Sequence, residues 1–112
     1  MKEYLLILKG DGMKHLSPDE LQKMLKDYQT WVEQLGDKYL GGQRLEENGA
    51  FLSAQNEEVL TDGPFLEPKE IIAGFFLIQA NDLEEAVQIV QSSPHLGFYQ
   101  IEVRPIVFPK MK

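Results

Sequence analysis

The residues of this chain whose types could do chemistry are two histidines, a turn aspartate, a lysine and two arginines. His95 stands in Ser93-Pro94-His95, between an amphipathic stretch and the closing strand pattern. Its reference pKa suits proton transfer near neutral pH, provided a partner lies within hydrogen-bond reach. The alternative is a helix-end partner, favoured by the helix dipole when protonated. Asp62 stands in Thr61-Asp62-Gly63-Pro64-Phe65. It reads either as an Asx turn, with Gly63 and Pro64 setting the bend, or as a carboxylate at a pocket mouth acting as base or ligand contact. Glu102 and Arg104 fall two residues apart, on one face of a strand. They form either a cross-strand or intersubunit ion pair or, with Arg44, a clamp for an anionic ligand. Lys69 and Glu70 are surface charges or hinge anchors, with Lys69 as the alternative pocket cation. His15, close to Asp11, reads as solvated. The histidines and acids show no metal-ligand spacing, and Gly10-Asp11-Gly12 lacks the rest of a dinucleotide fingerprint. Neither a metal nor a cofactor is expected.

The elements that position these residues follow from periodicity. Residues 3–8 are apolar on both alternating faces, the pattern of a strand covered on both sides. Ser17-Pro18-Asp19-Glu20 is a capping box with proline at the first helical position. Leu21, Met24, Leu25, Tyr28, Trp31, Val32 and Leu35 then form one helical face, closed by Gly36. The Tyr28 and Trp31 stripe reads as core, with room for one aromatic to line a pocket between helix and sheet. Tyr39-Leu40 and Arg44-Leu45 flank Gly41-Gly42 in a second strand with a glycine bulge. Asn48-Gly49 signals a tight turn, and Phe51 to Ala54 and Glu57 to Leu60 read as short strands or extended arms. Ile71 to Ile78 reads as a central buried strand. Asn81 caps a second helix with an apolar stripe at Leu83, Ala86, Val87 and Val90, stopped at Ser92-Ser93-Pro94. Phe98 to Val107 alternates, Tyr99, Ile101 and Val103 facing opposite to Gln100, Glu102 and Arg104.

The order is strand, helix, strand with a hairpin-like insertion, strand, helix, strand. That is the split βαβ, or ferredoxin-like, α+β pattern, and the 112 residues make one domain, 1–112. Both helices fall on one sheet face, yet the first and third strands are apolar on both. The uncovered face is too apolar for a lone protomer, which predicts a homodimer packed sheet to sheet. Eleven Lys and Arg against eighteen Asp and Glu give a net charge of −7, which argues against a nucleic-acid partner. With no cysteine there is neither a disulfide framework nor a thiolate nucleophile. The apolar runs are too short to span a membrane, so a cytoplasmic protein is expected.

Asp62-Gly63-Pro64-Phe65, with Glu67, Lys69 and Glu70 after it, resembles the DGPF family of the YCII-related superfamily. Further matching segments are Gly41-Gly42 with Leu45, the strand opening at Gly74, Leu83-Glu84-Glu85-Ala86, Pro94-His95 before a glycine, and Ile101-Glu102-Val103-Arg104-Pro105. The resemblance covers nearly the whole chain. It implies a ferredoxin-like protomer assembled as a dimeric α/β barrel, and little about chemistry. In the wider YCII group a histidine on the first helix, paired with an acid, is a proposed active site. Here the first helix, Pro18 to Leu35, has no histidine, and Ser93 stands where many relatives carry Asp. That dyad does not transfer.

Two functions fit. One is a small organic ligand held between sheet and helices, edged by Asp62, Lys69, His95 and Arg104 with Arg44 nearby, with weak acid–base activity by His95 or Asp62. The other is a non-catalytic interaction or regulatory module, a homodimer whose acidic surface suits a basic protein partner. Whether any reaction is catalysed stays open at this level.

Overall fold

The computed structural model describes residues 1–53, 58–60 and 70–107. Chain order is β1 (Lys2–Lys9), α1 (Pro18–Leu35), β2 (Tyr39–Arg44), β3 (Phe51–Ser53), β4 (Glu58–Leu60), β5 (Ile72–Ala80), α2 (Leu83–Gln91) and β6 (Gln100–Pro105). Short 3-10 turns lie at Gly12–His15, Gly36–Lys38 and Pro94–Gly97. The main sheet runs β2-β5-β1-β6, every neighbouring pair antiparallel. This is the ferredoxin-like order: β1 and β2 are parallel, and β5 is inserted between them. The expected α+β fold is what the chain adopts. β3 and β4 pair antiparallel in a small sheet of their own.

One sheet face carries the core. Tyr4, Leu6 and Leu8 of β1 and Phe76, Ile78 and Ala80 of β5 are buried under Trp31 of α1 and Ala86, Ile89 and Val90 of α2. Leu6 and Ile78 are wholly enclosed, and truncating either to Ala would cost about 2–5 kcal/mol. The opposite face presents the alternate residues, Leu5 and Ile7 of β1 with Phe75 and Leu77 of β5, all half-buried in the single chain. Tyr99, Ile101 and Val103 pack against the core as the alternation predicts.

The helix ends follow the sequence signals closely. Ser17 Oγ accepts the Glu20 N–H while Glu20 Oε1 accepts the Ser17 N–H at 2.9 Å, and these bonds hold the Glu20 carboxyl below its ordinary range. Gly36 closes α1 at φ +55°, its N–H donating to Val32.

Three expectations need correction. The cap of α2 is Asp82, not Asn81. Asp82 accepts the Glu85 N–H, whereas the Asn81 N–H is itself taken by the Glu85 carboxylate at 2.8 Å. The buried stripe of α2 is Ala86, Ile89 and Val90, while Leu83 and Val87 are exposed, because the helix is rotated to seat Ile89. Asn48-Gly49 makes no tight turn between paired strands. It lies in irregular chain linking β2 to β3, which belong to different sheets. The glycine bulge in β2 is present: the register shifts between Tyr39 and Gly41, and Gly41 takes φ +142°, a conformation that L side chains rarely adopt.

Candidate functional site

A cavity of about 320 Å³ opens between α1 and the end of the main sheet. Met24, Leu25 and Tyr28 of α1 wall one side, and Leu8 of β1 with residues 73–76 of β5 wall the other. Gly42, Gln43 and Arg44 of β2, His95, Met13 and Tyr99 complete the lining. Strand β2 can lie this close because Gly42 has no side chain. A Cβ there would stand 2.5 Å from the Phe76 ring and 2.7 Å from the Phe75 carbonyl oxygen.

His95 is turned into the cavity by its own local structure. Ser93 follows the end of α2, and its Oγ accepts the His95 N–H at 3.1 Å, which opens a 3-10 turn with Pro94 in its first position. The imidazole is thereby driven under α1 and is 7% exposed. Its ring meets Phe76 at 4.9 Å and Tyr28 at 5.3 Å, both edge-on. Nδ1 lies 3.3 Å from Ser93 Oγ. Nε2 makes no hydrogen bond among the described residues, and no side-chain polar atom among them is sealed away unsatisfied, so Nε2 is not fully enclosed. Burial lowers the His95 pKa from 6.5 to about 4. The reading of His95 as a protonated helix-end partner is therefore overturned: it is neutral at pH 7.

The hydroxyls of Tyr28 and Tyr39 are hydrogen-bonded to each other, and burial together with that bond raises the Tyr39 phenol. The Tyr28 ring stacks on Phe76 at 5.5 Å and 22°. Trp31 Nε1 donates to Ser92 Oγ at 3.0 Å, tying α1 to the end of α2 just before the His95 turn. Burial also raises Tyr99, opposed by the Met13 backbone and by the nearby Arg44 charge. Arg44 makes no ion pair among the described residues.

Of the site residues expected from sequence, the structure brings His95 and Arg44 to this cavity. Arg104 lies on β6, at the sheet edge opposite β2, and does not reach it. Its Nη1 donates to Glu102 at 3.1 Å, and Lys9 reaches the same carboxylate across the strands at 2.7 Å. Lys9 and Arg104 hold the Glu102 carboxyl below its usual range. Glu102 thus pairs with Arg104 within its own strand and with Lys9 across the strands, and Arg104 and Arg44 stand at opposite edges of the sheet. Asp62 and Lys69 lie outside the described residues. His15 is solvent-exposed, 3.6 Å from Asp11. Among the described residues no group of three or more His, Cys, Asp and Glu could hold a metal ion, and no helix is long and apolar enough to cross a membrane. Sequence reasoning missed Tyr99, Gly42 and the Ser93 contact. The Ser-Pro pair is a turn-opening signal that could have disclosed the last of these.

A family model described as the YCII-related domain matches residues 3–108. An uncharacterized protein of Rhizobium meliloti (strain 1021) is 40% identical over 58 residues, 48% of this chain and 45% of that protein, so the match spans less than half of the curated relative's length. Among solved structures, the 5-chloro-2-hydroxyhydroquinone dehydrochlorinase TftG of Burkholderia phenoliruptrix, in complex with 2,5-dihydroxybenzoquinone, is similar with a TM-score of 0.53. It is 18% identical, over 96% of each chain, a likeness of fold. An Arabidopsis thaliana protein aligns over 100% of this chain and 99% of its own, with 13% identity and a TM-score of 0.46.

Proposed function

Because the chain belongs to the YCII-related family, whose model spans residues 3–108, we propose that it binds a small organic ligand in the cavity between α1 and the sheet. The observation that carries this reading is the His95 ring. It is buried among Tyr28, Trp31 and Phe76, lies at Nδ1 within reach of Ser93, and lines an apolar cavity with no hydrogen bond to Nε2 among the described residues. A largely apolar wall with a few convergent polar groups is the usual make-up of a small-ligand pocket, and 320 Å³ stands near the lower end of the roughly 300–1,000 Å³ range of such sites. TftG, in complex with 2,5-dihydroxybenzoquinone, is an instance of this fold holding a ring compound.

The chemistry within reach of His95 is proton transfer. At pH 7 the imidazole is unprotonated, so it can accept a proton. A pKa of about 4 also makes it a poor base, since general bases work best near the operating pH. The reading is accordingly a binding protein with weak acid–base activity. Asp62 and Lys69, with the Asp62-Gly63-Pro64-Phe65 segment that supports placing the chain in the DGPF branch, complete the proposed site.

The protein acts as a homodimer in this reading. Leu5, Ile7, Phe75 and Leu77 give the uncovered sheet face an apolar centre, with the Lys9, Glu102 and Arg104 charges beside it. An interaction module is the alternative, and the exposed Leu83 and Val87, one turn apart on α2, favour it. A fragment screen by thermal shift separates the two. Hits that stabilise the wild type and lose their effect in His95→Ala support ligand binding. A screen without stabilising hits refutes it.

A further inference from the structure

The chain carries eighteen acidic residues and eleven basic ones, yet among the described residues the cavity lining contains no carboxylate and one cation, Arg44. A pocket so lined repels cations less than the surrounding surface and attracts anions more. Arg44 makes no ion pair among the described residues, so no described carboxylate competes for its guanidinium. Arg44 lines the cavity together with Tyr99, and the Tyr99 phenol feels its charge, opposed by that of Asp11. An unengaged guanidinium offers a planar fork of N–H donors that matches a carboxylate with two parallel bonds, which a single ammonium does not.

The remaining lining sets aromatic rings among the aliphatic and thioether side chains of Leu8, Met13, Met24 and Leu25. Tyr28 and Phe76 stack nearly parallel, Tyr99 stands near Arg44, and the His95 ring closes the far side edge-on to both stacked rings. Rings prefer offset-stacked or edge-to-face neighbours, so these surfaces favour a planar guest over a puckered one. With one cation in the described lining, His95 uncharged at neutral pH, and the proposed Asp62 and Lys69 opposite in charge to each other, the cavity balances a single negative charge.

We propose that the ligand class of this cavity is a single-ring aromatic carboxylate, its carboxylate on Arg44 and its ring against the aromatic side chains of the lining. This rests on the ligand-binding reading above and goes beyond it by fixing charge and shape.

The test is an NMR titration of the full chain with benzoate, benzamide, cyclohexanecarboxylate and benzylammonium, followed at the Tyr28, His95 and Tyr99 resonances. In the wild type, benzoate binds about tenfold or more tightly than benzamide, in keeping with a charge-assisted bond. Cyclohexanecarboxylate is weaker than benzoate, and benzylammonium is weakest. In Arg44→Gln the benzoate advantage over benzamide disappears. Arg44→Lys, which keeps charge without the fork, recovers part of it. Amide spectra of both variants that match the wild type away from the cavity show that they are folded. Equal affinity for benzoate and benzamide, or an unchanged preference in Arg44→Gln, overturns the carboxylate assignment and leaves the ligand-binding reading standing. Cyclohexanecarboxylate equal to benzoate overturns the aromatic half. If none of the four perturbs those resonances, the carboxylate assignment is overturned, and hits in the wider fragment screen then decide whether the ligand-binding reading falls with it.

Discussion

Ser93 Oγ stands 3.3 Å from His95 Nδ1 and accepts the His95 N–H at 3.1 Å, so one hydroxyl fixes both the backbone and the ring of the histidine. The contact is neutral, and nothing in it offsets the burial that holds the imidazole at about 4. A carboxylate at the same position would. Ser93→Asp raises the His95 pKa by roughly one to three pH units, because an anion within a few ångströms favours the imidazolium. An imidazole NMR titration reads this directly. An unchanged midpoint would show that the Ser93 contact does not govern the ring.

The same burial sets a pH dependence of stability. Between about pH 4 and 6.5 the unfolded chain protonates His95 and the folded chain does not, so the unfolded state binds more protons there. Unfolding free energy is therefore highest above pH 6.5 and falls as the pH drops toward 4. The loss is about 2 kcal/mol, less than the full shift implies, because Nε2 is not fully enclosed. Urea melts across this range show the slope in the wild type, and His95→Gln flattens it. The depressed Glu20, Glu85 and Glu102 carboxyls add their own loss in a separate window, as the pH falls below their ordinary values.

Gly12 opens the turn that carries Met13 to the cavity. A Cβ there would lie 1.9 Å from the Phe98 carbonyl oxygen and 2.7 Å from its carbon, both backbone atoms that cannot swing aside. Gly12→Ala destabilises the fold by about 1–3 kcal/mol. Gly49→Ala, where an added Cβ meets nothing within 4 Å, is the control and is close to neutral. Denaturant midpoints compare the two.

The proposed dimer turns on the face opposite the helices. Leu77 is central there, paired with Leu5 on one side and Gly41 on the other. Leu77→Glu leaves the helical core untouched and places a charge in the proposed interface. Sedimentation velocity at micromolar concentration finds the wild type dimeric and the variant monomeric with an unchanged far-UV spectrum. A monomeric wild type would contradict the dimer.

The parts of the fold written in local chemistry were readable from the chain. The capping box at Ser17, the Gly36 closure and the bulge at Gly41 each rest on one or two residues with a conformational preference, and each appears where its signal lies. Shifts of one residue or one helical rotation were not readable. Asp82 and Asn81 are both competent caps, and the choice fell to whichever left Ile89 facing the sheet. At the site, Arg44 and Arg104 have equal chemistry in the sequence but sit at opposite edges of the sheet, a separation fixed by strand order alone. Alternation puts Tyr99 on one side of its strand with Ile101 and Val103 but does not say what that side meets, and Tyr99 both packs on the core and lines the cavity.

Whether the cavity beside His95 receives a ligand is decided most directly by mapping the hits of a fragment library on the full chain through the His95 ring resonances and the Tyr28 and Gly42 signals. The account predicts that the strongest hits move these three together, and that His95→Ala removes the effect. Hits confined to the Leu5, Ile7, Phe75 and Leu77 face, or none that reach His95, would contradict it.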